Sequence, residues 1–113
     1  MNILIVGLGN IGFAHLKSFF LSKKKYSIDL YDKKKIKLDS LILKKKNQKK
    51  INILKKLPQN NTYNLVIIAT NSLERFEILK KIIKKNKIGY FLLEKMIFTK
   101  IAHYDKSKYF TKN

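Results

Sequence analysis

Three glycines near the start of the chain have the spacing of a phosphate-binding turn. Gly7, Gly9 and Gly12 form the pattern G-x-G-x-x-G directly after the apolar run NILIV at residues 2–6. In such a turn the first glycine permits a tight bend, the second leaves room for a diphosphate, and the third lets the helix approach the strand. The exposed N–H groups and the dipole of the helix favour a phosphate charge. The alternative is an ordinary structural turn.

A carboxylate follows the glycines at the distance expected of a sugar ligand. Asp32 comes 20 residues after Gly12, at the end of the second predicted strand, where an acid accepts hydrogen bonds from an adenosine ribose. The glycines and the acid together predict a nicotinamide dinucleotide, NAD or NADP. The charge of Asp32 favours NAD because it repels a 2′-phosphate. Lys33, Lys34 and Lys35 favour NADP if they neutralise that phosphate, or else they form the solvated start of a helix.

The segments around these residues alternate between strand-like and helix-like patterns. Apolar runs predict strands at 2–6, 26–32, 51–54, 65–70 and 89–95, and periodic segments predict helices at 10–22, 33–45 and 72–85. The run LVIIAT at 65–70 is continuous and β-branched, so it belongs in the centre of the sheet. Pro58 and the polar stretch 58–64 predict a turn before it. We therefore expect an α/β fold, a three-layer, doubly wound and Rossmann-like parallel sheet of about five strands.

Both well-formed helices carry start signals and an apolar stripe. Asn10 is available as the N-cap of the first helix, and Asn71 with Glu74 resembles a capping box for the helix at 72–85. The predicted buried stripes are Ile11, Ala14, Leu16, Phe19 and Phe20 in the first helix, and Leu73, Phe76, Leu79, Ile82 and Ile83 in the later one.

Composition indicates one folded domain and excludes several classes of protein. The chain has 113 residues, 45% of them hydrophobic, and a mean hydropathy of -0.24, which argues against disorder and against a membrane protein. Its apolar runs are too short to cross a bilayer, and no basic leader precedes the first strand. Without cysteine there is no disulfide framework. These features predict a cytoplasmic location.

The net charge of +19 comes almost wholly from lysine. Of the 26 basic residues, only Arg75 is an arginine, whereas proteins that read bases or clamp phosphates favour the arginine fork. The lysines also lie in short runs along the whole chain rather than on one element. We interpret them as a solvated surface and do not expect nucleic acid as a partner. The alternative, a lysine-driven nucleic-acid binder, predicts steep salt dependence and indifference to NAD.

Three segments together resemble the cofactor domain of the Gfo/Idh/MocA oxidoreductases. They are ILIVGLGNIGFAH, VIIATNSLERFEILKKIIKKNK and YFLLEK, and the resemblance covers nearly all of residues 1–98. Glu94 and Lys95 match part of the family's Glu-Lys-Pro motif. The resemblance implies that Lys95 is the catalytic residue, which orients the substrate and tunes its proton transfer, and that Glu94 lies near the nicotinamide ribose.

The resemblance also implies further cofactor contacts and a substrate class. Thr70, Asn71 and Ser72 would line the cofactor after the fourth strand, and Asn10 and Ile11 join the cofactor-binding set within the glycine pattern. The implied reaction is hydride transfer between the nicotinamide and a sugar or polyol hydroxyl or ketone. The intact family member is compatible with a homo-oligomer.

This chain departs from the family pattern in three respects. Met96 replaces the proline of Glu-Lys-Pro, and Arg75 stands where many members have a histidine. Family members also continue into a second domain that carries the substrate pocket and an acid/base residue. We expect residues 1–98 to form the dinucleotide-binding domain of a truncated member, and 99–113 to be a polar tail or the start of a missing continuation. Such a chain would bind cofactor weakly and turn nothing over.

Another class of protein shares the glycine pattern. Regulatory nucleotide-sensing domains of the potassium-transport type have the same glycines and a similar length, but they have no reason to keep Glu94 and Lys95. His15 matches a position where the family often has histidine and is interpreted as a packed residue; His103 receives no role. The sequence contains no recognisable metal-ligand spacing and no Ser/His/Asp set. The acids Glu74, Glu77 and Asp105 are interpreted as caps or charge partners of lysines.

Overall fold

Five parallel strands form the sheet that the alternating pattern predicts. A computed structural model describes residues 1–22, 24–38 and 50–93, and the account below concerns these residues. The elements are β1 (Asn2–Val6), α1 (Asn10–Phe20), β2 (Ser27–Tyr31), β3 (Lys50–Ile53), β4 (Thr62–Ile68), α2 (Ser72–Lys85) and β5 (Lys87–Leu93). The two described helices pack on opposite faces of the sheet. The predicted three-layer α/β architecture is confirmed.

The strand order places a crevice at the carboxyl end of β1. The sheet runs β3-β2-β1-β4-β5, so the chain moves outward from β1 to β3 on one side and from β4 to β5 on the other. In register, Ile5 lies between Leu30 of β2 and Ile67 of β4. Open α/β sheets bind ligands where the strand order reverses in this way. The prediction that LVIIAT lies within the sheet is also confirmed, since β4 has a neighbour on each side.

The core has one half on each face of the sheet. Residues Ile3 to Val6 of β1 are fully buried, as expected of a central parallel strand. Ile3 and Ile5 pack towards α1, whereas Leu4 and Val6 pack towards α2. Because both faces of β1 are covered, the carboxyl end of this strand is a rigid base for the glycine turn.

Helix α1 packs on the core through three of the five predicted residues, Leu16, Phe19 and Phe20, but not through Ile11 or Ala14. Gly12 and Leu16 are buried, whereas Ile11 is 37% exposed and Ala14 is exposed. Phe13 packs against the core in their place. The close approach of Gly12 to the turn sets the rotation of the helix. In α2 the predicted stripe is confirmed, except that Leu73 is 75% exposed.

The helix predicted at 33–45 is wrong over its described part. Residues 33–38 contain no helix, and 39–45 lie outside the described residues. A carboxylate oxygen of Asp32 accepts the N–H of Lys34 at 3.0 Å, but this turn is not continued into a helix over 33–38. Ile36 and Leu38 are half-buried on the α1 side of the core. Their spacing of two is that of an extended segment.

Strand β4 begins at Thr62, inside the stretch that predicts a turn. Tyr63 is buried, and its hydroxyl donates to Asp29 at 2.6 Å. The amide of Asn52 donates to the same carboxylate at 3.1 Å. These bonds join β2, β3 and β4 through the half-buried carboxylate of Asp29, a contact that an apolar pattern does not reveal. Strand β5 likewise begins two residues before its predicted start, at Lys87.

We expect Tyr63→Phe to lower the free energy of unfolding by about 2 kcal/mol, because the half-buried Asp29 carboxylate loses a donor. Burial and the adjacent Asp29 raise the pKa of the Tyr63 phenol. The folded chain therefore holds this proton more tightly than the unfolded chain, and stability falls as pH rises above about 10. Urea unfolding at pH 8 and pH 10.5 measures both effects. The variant should lose less stability between these two pH values, and equal losses would contradict the assignment.

Asn86, the C-cap of α2, anchors the amino-terminal ends of β4 and β5, opposite the crevice. Its amide donates to the carbonyl oxygens of Pro58 at 3.0 Å and Ile82 at 2.9 Å, and its side-chain oxygen accepts the N–H of Asn61 at 3.0 Å. The carbonyls at the end of the helix are otherwise costly to leave without partners. These bonds lie at the amino-terminal ends of the strands, whereas the crevice lies at the carboxyl ends. The contacts of Asn86 are therefore separate from those that form the crevice.

Candidate dinucleotide site

The chain turns sharply at Gly7, where β1 ends. Gly7 has a φ of +92°, and a Cβ there would lie 2.8 Å from both the carbonyl carbon of Ala69 and the nitrogen of Thr70. Side chains rarely accompany this φ, and the neighbouring backbone leaves no space for one. The N–H of Gly7 donates to the carbonyl of Tyr31 at 2.9 Å. Glycine is therefore required at this position by the backbone itself.

Gly12 and Gly9 lack side chains for opposite reasons. A Cβ on Gly12 would lie 1.9 Å from the carbonyl oxygen of Gly7, so this glycine lets α1 rest on the turn. A Cβ on Gly9 would meet nothing within 4 Å. The protein therefore leaves a space beside Gly9 that its own packing does not need.

The first turn of α1 faces this space with backbone groups alone. Gly9 is the N-cap, and no side chain accepts a hydrogen bond there. The predicted Asn10 cap is therefore wrong: the helix begins at Asn10, and the Gly9 carbonyl accepts the N–H of Phe13 at 3.0 Å. The first N–H groups of a helix have no intrahelical partner and attract anions.

Asp32 points towards the glycine turn. One carboxylate oxygen accepts the N–H of Leu8 at 2.7 Å and the other accepts the N–H of Lys34 at 3.0 Å. Each oxygen has two lone pairs, so both keep capacity for a further donor. The side chain is half-buried. The acid and the glycines thus form one unit, in which the turn holds the carboxylate that would receive the ribose hydroxyls.

The opposite wall follows β4. The side-chain oxygen of Thr70 is buried and has no hydrogen-bond partner within the described ranges, and the side chain of Asn71 caps α2 by accepting the N–H of Glu74 at 3.2 Å. Arg75 is 4% exposed and donates to the carbonyl of Thr70 at 2.6 Å. Sequence reasoning missed this contact, for which the presence of a single arginine was the only signal.

These walls enclose a cleft of about 530 Å3 at the carboxyl ends of β1, β2 and β4, a size typical of ligand sites. The predicted residues that line it are Gly7, Gly9, Asp32, Thr70 and Asn71. Gly12 is buried under the turn, and neither Asn10 nor Ile11 belongs to the lining. Glu94 and Lys95 lie outside the described residues, as do Met96 and His103.

The charge of the cleft is predominantly positive. The lysines at positions 33, 34, 35 and 37 line it, and two carboxylates, Asp32 and Glu74, accompany them. Glu74 forms an ion pair with Lys33, as its interpretation as a charge partner predicts. Clefts of one sign concentrate ligands of the opposite sign, so this one attracts an anionic ligand such as a diphosphate.

The cleft has the donors and the space that a dinucleotide requires. Backbone N–H groups stand beside the open position at Gly9, a carboxylate lies next to them, and the Thr70 hydroxyl has no partner there within the described chain. A buried polar atom without a partner is costly unless a ligand supplies one. The residues present therefore fit a nicotinamide dinucleotide.

Comparison with known families agrees with this geometry. Residues 1–110 match the family model GFO_IDH_MocA, described as oxidoreductase family, NAD-binding Rossmann fold. The chain belongs to this family. No individual curated protein and no solved structure gives a significant match. The family assignment favours a Gfo/Idh/MocA oxidoreductase domain over a regulatory nucleotide-sensing domain, and it identifies the cofactor class as a nicotinamide dinucleotide.

Other kinds of site receive no support from the described part of this Gfo/Idh/MocA chain. Across residues 1–22, 24–38 and 50–93, no three His, Asp or Glu side chains are grouped so as to hold a metal ion. No helix within those ranges combines the length and apolar character required to cross a bilayer. His15 is half-buried and does not line the cleft.

Proposed function

We propose that the chain binds NAD as the cofactor-binding part of an oxidoreductase that acts on a sugar or polyol hydroxyl or ketone. One observation carries the proposal: the Asp32 carboxylate is held 2.7 Å from the Leu8 nitrogen, beside a glycine whose missing side chain leaves open space. Backbone contacts explain Gly7 and Gly12 but not Gly9. A diphosphate beside Gly9 explains this glycine and the acid together.

Different residues of the cleft would bind different parts of the cofactor. The first N–H groups of α1 would receive the diphosphate, and the remaining lone pairs of Asp32 would accept the ribose hydroxyls. Thr70 offers its hydroxyl from the opposite wall, since that group has no partner among the described residues. The negative charge of Asp32 favours NAD over NADP because it repels a 2′-phosphate.

The chemistry needs groups beyond the cofactor cleft. A bound nicotinamide supplies the hydride acceptor or donor, while the protein must hold the substrate, exclude water and take up a proton. We assign the orientation of the substrate hydroxyl to Lys95 and a position near the nicotinamide ribose to Glu94, both on the family resemblance. They follow Leu93, the last residue of β5. In this proposal a second domain supplies the substrate pocket, and residues 1–98 supply the cofactor half.

Fluorescence titration with NADH tests the binding proposal. The wild-type chain should bind NADH saturably, and NAD should displace it. NADPH should bind about tenfold more weakly, because its extra phosphate meets the Asp32 carboxylate. Chain that is folded by circular dichroism but gives no saturable NADH signal would contradict the proposed function.

Absorbance at 340 nm tests the catalytic part. The chain, incubated with NAD and a panel of sugars and polyols, should produce no NADH, because in this proposal the substrate pocket belongs to a second domain. Appearance of NADH with one of these substrates would support the substrate class and overturn the assignment of the substrate pocket to a second domain. Bovine serum albumin at the same concentration serves as the blank.

A further inference from the structure

A single ion pair spans the cleft between its two walls, within the part of the chain that the structure describes. Lys33 follows Asp32 at the end of β2, and Glu74 lies in the first turn of α2, after β4. Strand β1 separates these two strands in the sheet, and both side chains line the cleft. The contact between Lys33 and Glu74 therefore crosses above the carboxyl end of β1.

The pair has little to contribute to folding. The side chain of Lys33 is 64% exposed and that of Glu74 is 30% exposed, and exposed ion pairs add little stability. Its position matters more, because Lys33 is the residue after the carboxylate that would bind the ribose. Together with Lys34 and Lys35, which also line the cleft, its ammonium lies where it could receive a phosphate on the ribose 2′ position.

We propose that Glu74 is a specificity-determining residue that favours NAD by holding Lys33 across the cleft. The inference rests on the proposed dinucleotide function. While Glu74 neutralises Lys33, a 2′-phosphate meets the Asp32 carboxylate without this ammonium to offset it. Glu74 also adds a negative charge of its own to the cleft. Both effects act against NADP and leave NAD, which has no 2′-phosphate, largely unaffected.

Glu74→Gln tests this role, because the amide keeps the shape of the side chain and removes its charge. We expect the Kd for NADPH to fall about fivefold, the scale of one exposed charge pair, while the Kd for NADH changes less than twofold. The titrations are run at 20 mM and at 300 mM NaCl. The gain in NADPH affinity should shrink at high salt, because the contact between Lys33 and the 2′-phosphate would be exposed to solvent.

A neighbouring acid provides the matched control. Glu77 lies on the same helix, is exposed and does not line the cleft, so Glu77→Gln changes the net charge equally without touching Lys33. Its ratio of NADH to NADPH affinity should equal that of the wild type. The double variant Lys33→Met with Glu74→Gln should lose the NADPH gain, because the released cation is gone.

The outcomes separate this inference from the one on which it rests. If wild type and all variants fail to bind either dinucleotide, the proposed function is wrong and this inference falls with it. If NADH binds but Glu74→Gln and Glu77→Gln give the same affinity ratio, the dinucleotide function stands and the role of Glu74 is overturned. A gain that persists in the double variant would overturn the part assigned to Lys33. Thermal melts of each variant verify that it is folded.

Discussion

Gly9→Val should abolish dinucleotide binding while leaving the fold intact. Its side chain would enter the space beside the first turn of α1, where nothing lies within 4 Å of the position that a Cβ would take. A diphosphate excluded from that space loses at least two charge-assisted hydrogen bonds, so the Kd for NADH should rise about 100-fold or more. NADH fluorescence measures the loss.

Stability should hardly change in this variant. Gly9 has φ −76° and ψ −163°, an extended conformation that valine adopts readily. As an N-cap, valine is poorer than glycine by about 1 kcal/mol, which a thermal melt detects as a small shift. NADH affinity equal to the wild type would disprove a diphosphate at this position and remove the main support for the proposed function.

Gly12→Ala should give the opposite result, a large loss of stability. Its Cβ would lie 1.9 Å from the Gly7 carbonyl oxygen, a distance at which the helix and the turn must separate. We expect the free energy of unfolding to fall by about 3 kcal/mol or more, with a Tm lower by about 10 °C. Helix propensity alone predicts the reverse sign, because alanine is favoured over glycine within a helix by about 1 kcal/mol.

Gly9→Ala is the matched control for this effect. The two changes add the same methyl group three residues apart, one into open space and one against backbone. In circular dichroism melts the Tm of Gly12→Ala should therefore be clearly lower than that of Gly9→Ala. A Gly12→Ala chain as stable as Gly9→Ala would show that α1 does not rest on the glycine turn as described.

The sequence predicts most of the fold because its central segments carry strong local patterns. The runs at β1 and β4 are continuous and β-branched, and α2 has a capping signal that the Asn71 to Glu74 bond confirms. The glycine pattern also predicts the turn that joins β1 to α1. In these places local preference and tertiary packing agree, so the segment alone is informative.

Predictions fail where distant or polar contacts decide the structure. The close contact between Gly12 and Gly7 sets the rotation of α1 about its axis. The apolar pattern of the helix therefore predicts burial of Ile11, which is exposed. The bond from Tyr63 to Asp29 joins residues 34 positions apart and extends β4 into a stretch rich in turn residues. The cleft shows the same limit: its residue types are evident from sequence, but the pairing of Lys33 with Glu74 depends on the sheet order.

Asp32 accepts two backbone N–H groups in addition to its proposed contact with the ribose, and this constrains how the chain could evolve a new cofactor preference. A lineage that replaced Asp32 would deprive the N–H groups of Leu8 and Lys34 of their acceptor, at a cost of about 1–3 kcal/mol for the group of the buried Leu8. Replacement of the more peripheral Glu74 carries no such burden. A change of preference towards NADP should therefore begin with substitution of Glu74 on the α2 wall. Asp32 should be retained, because the backbone depends on its carboxylate.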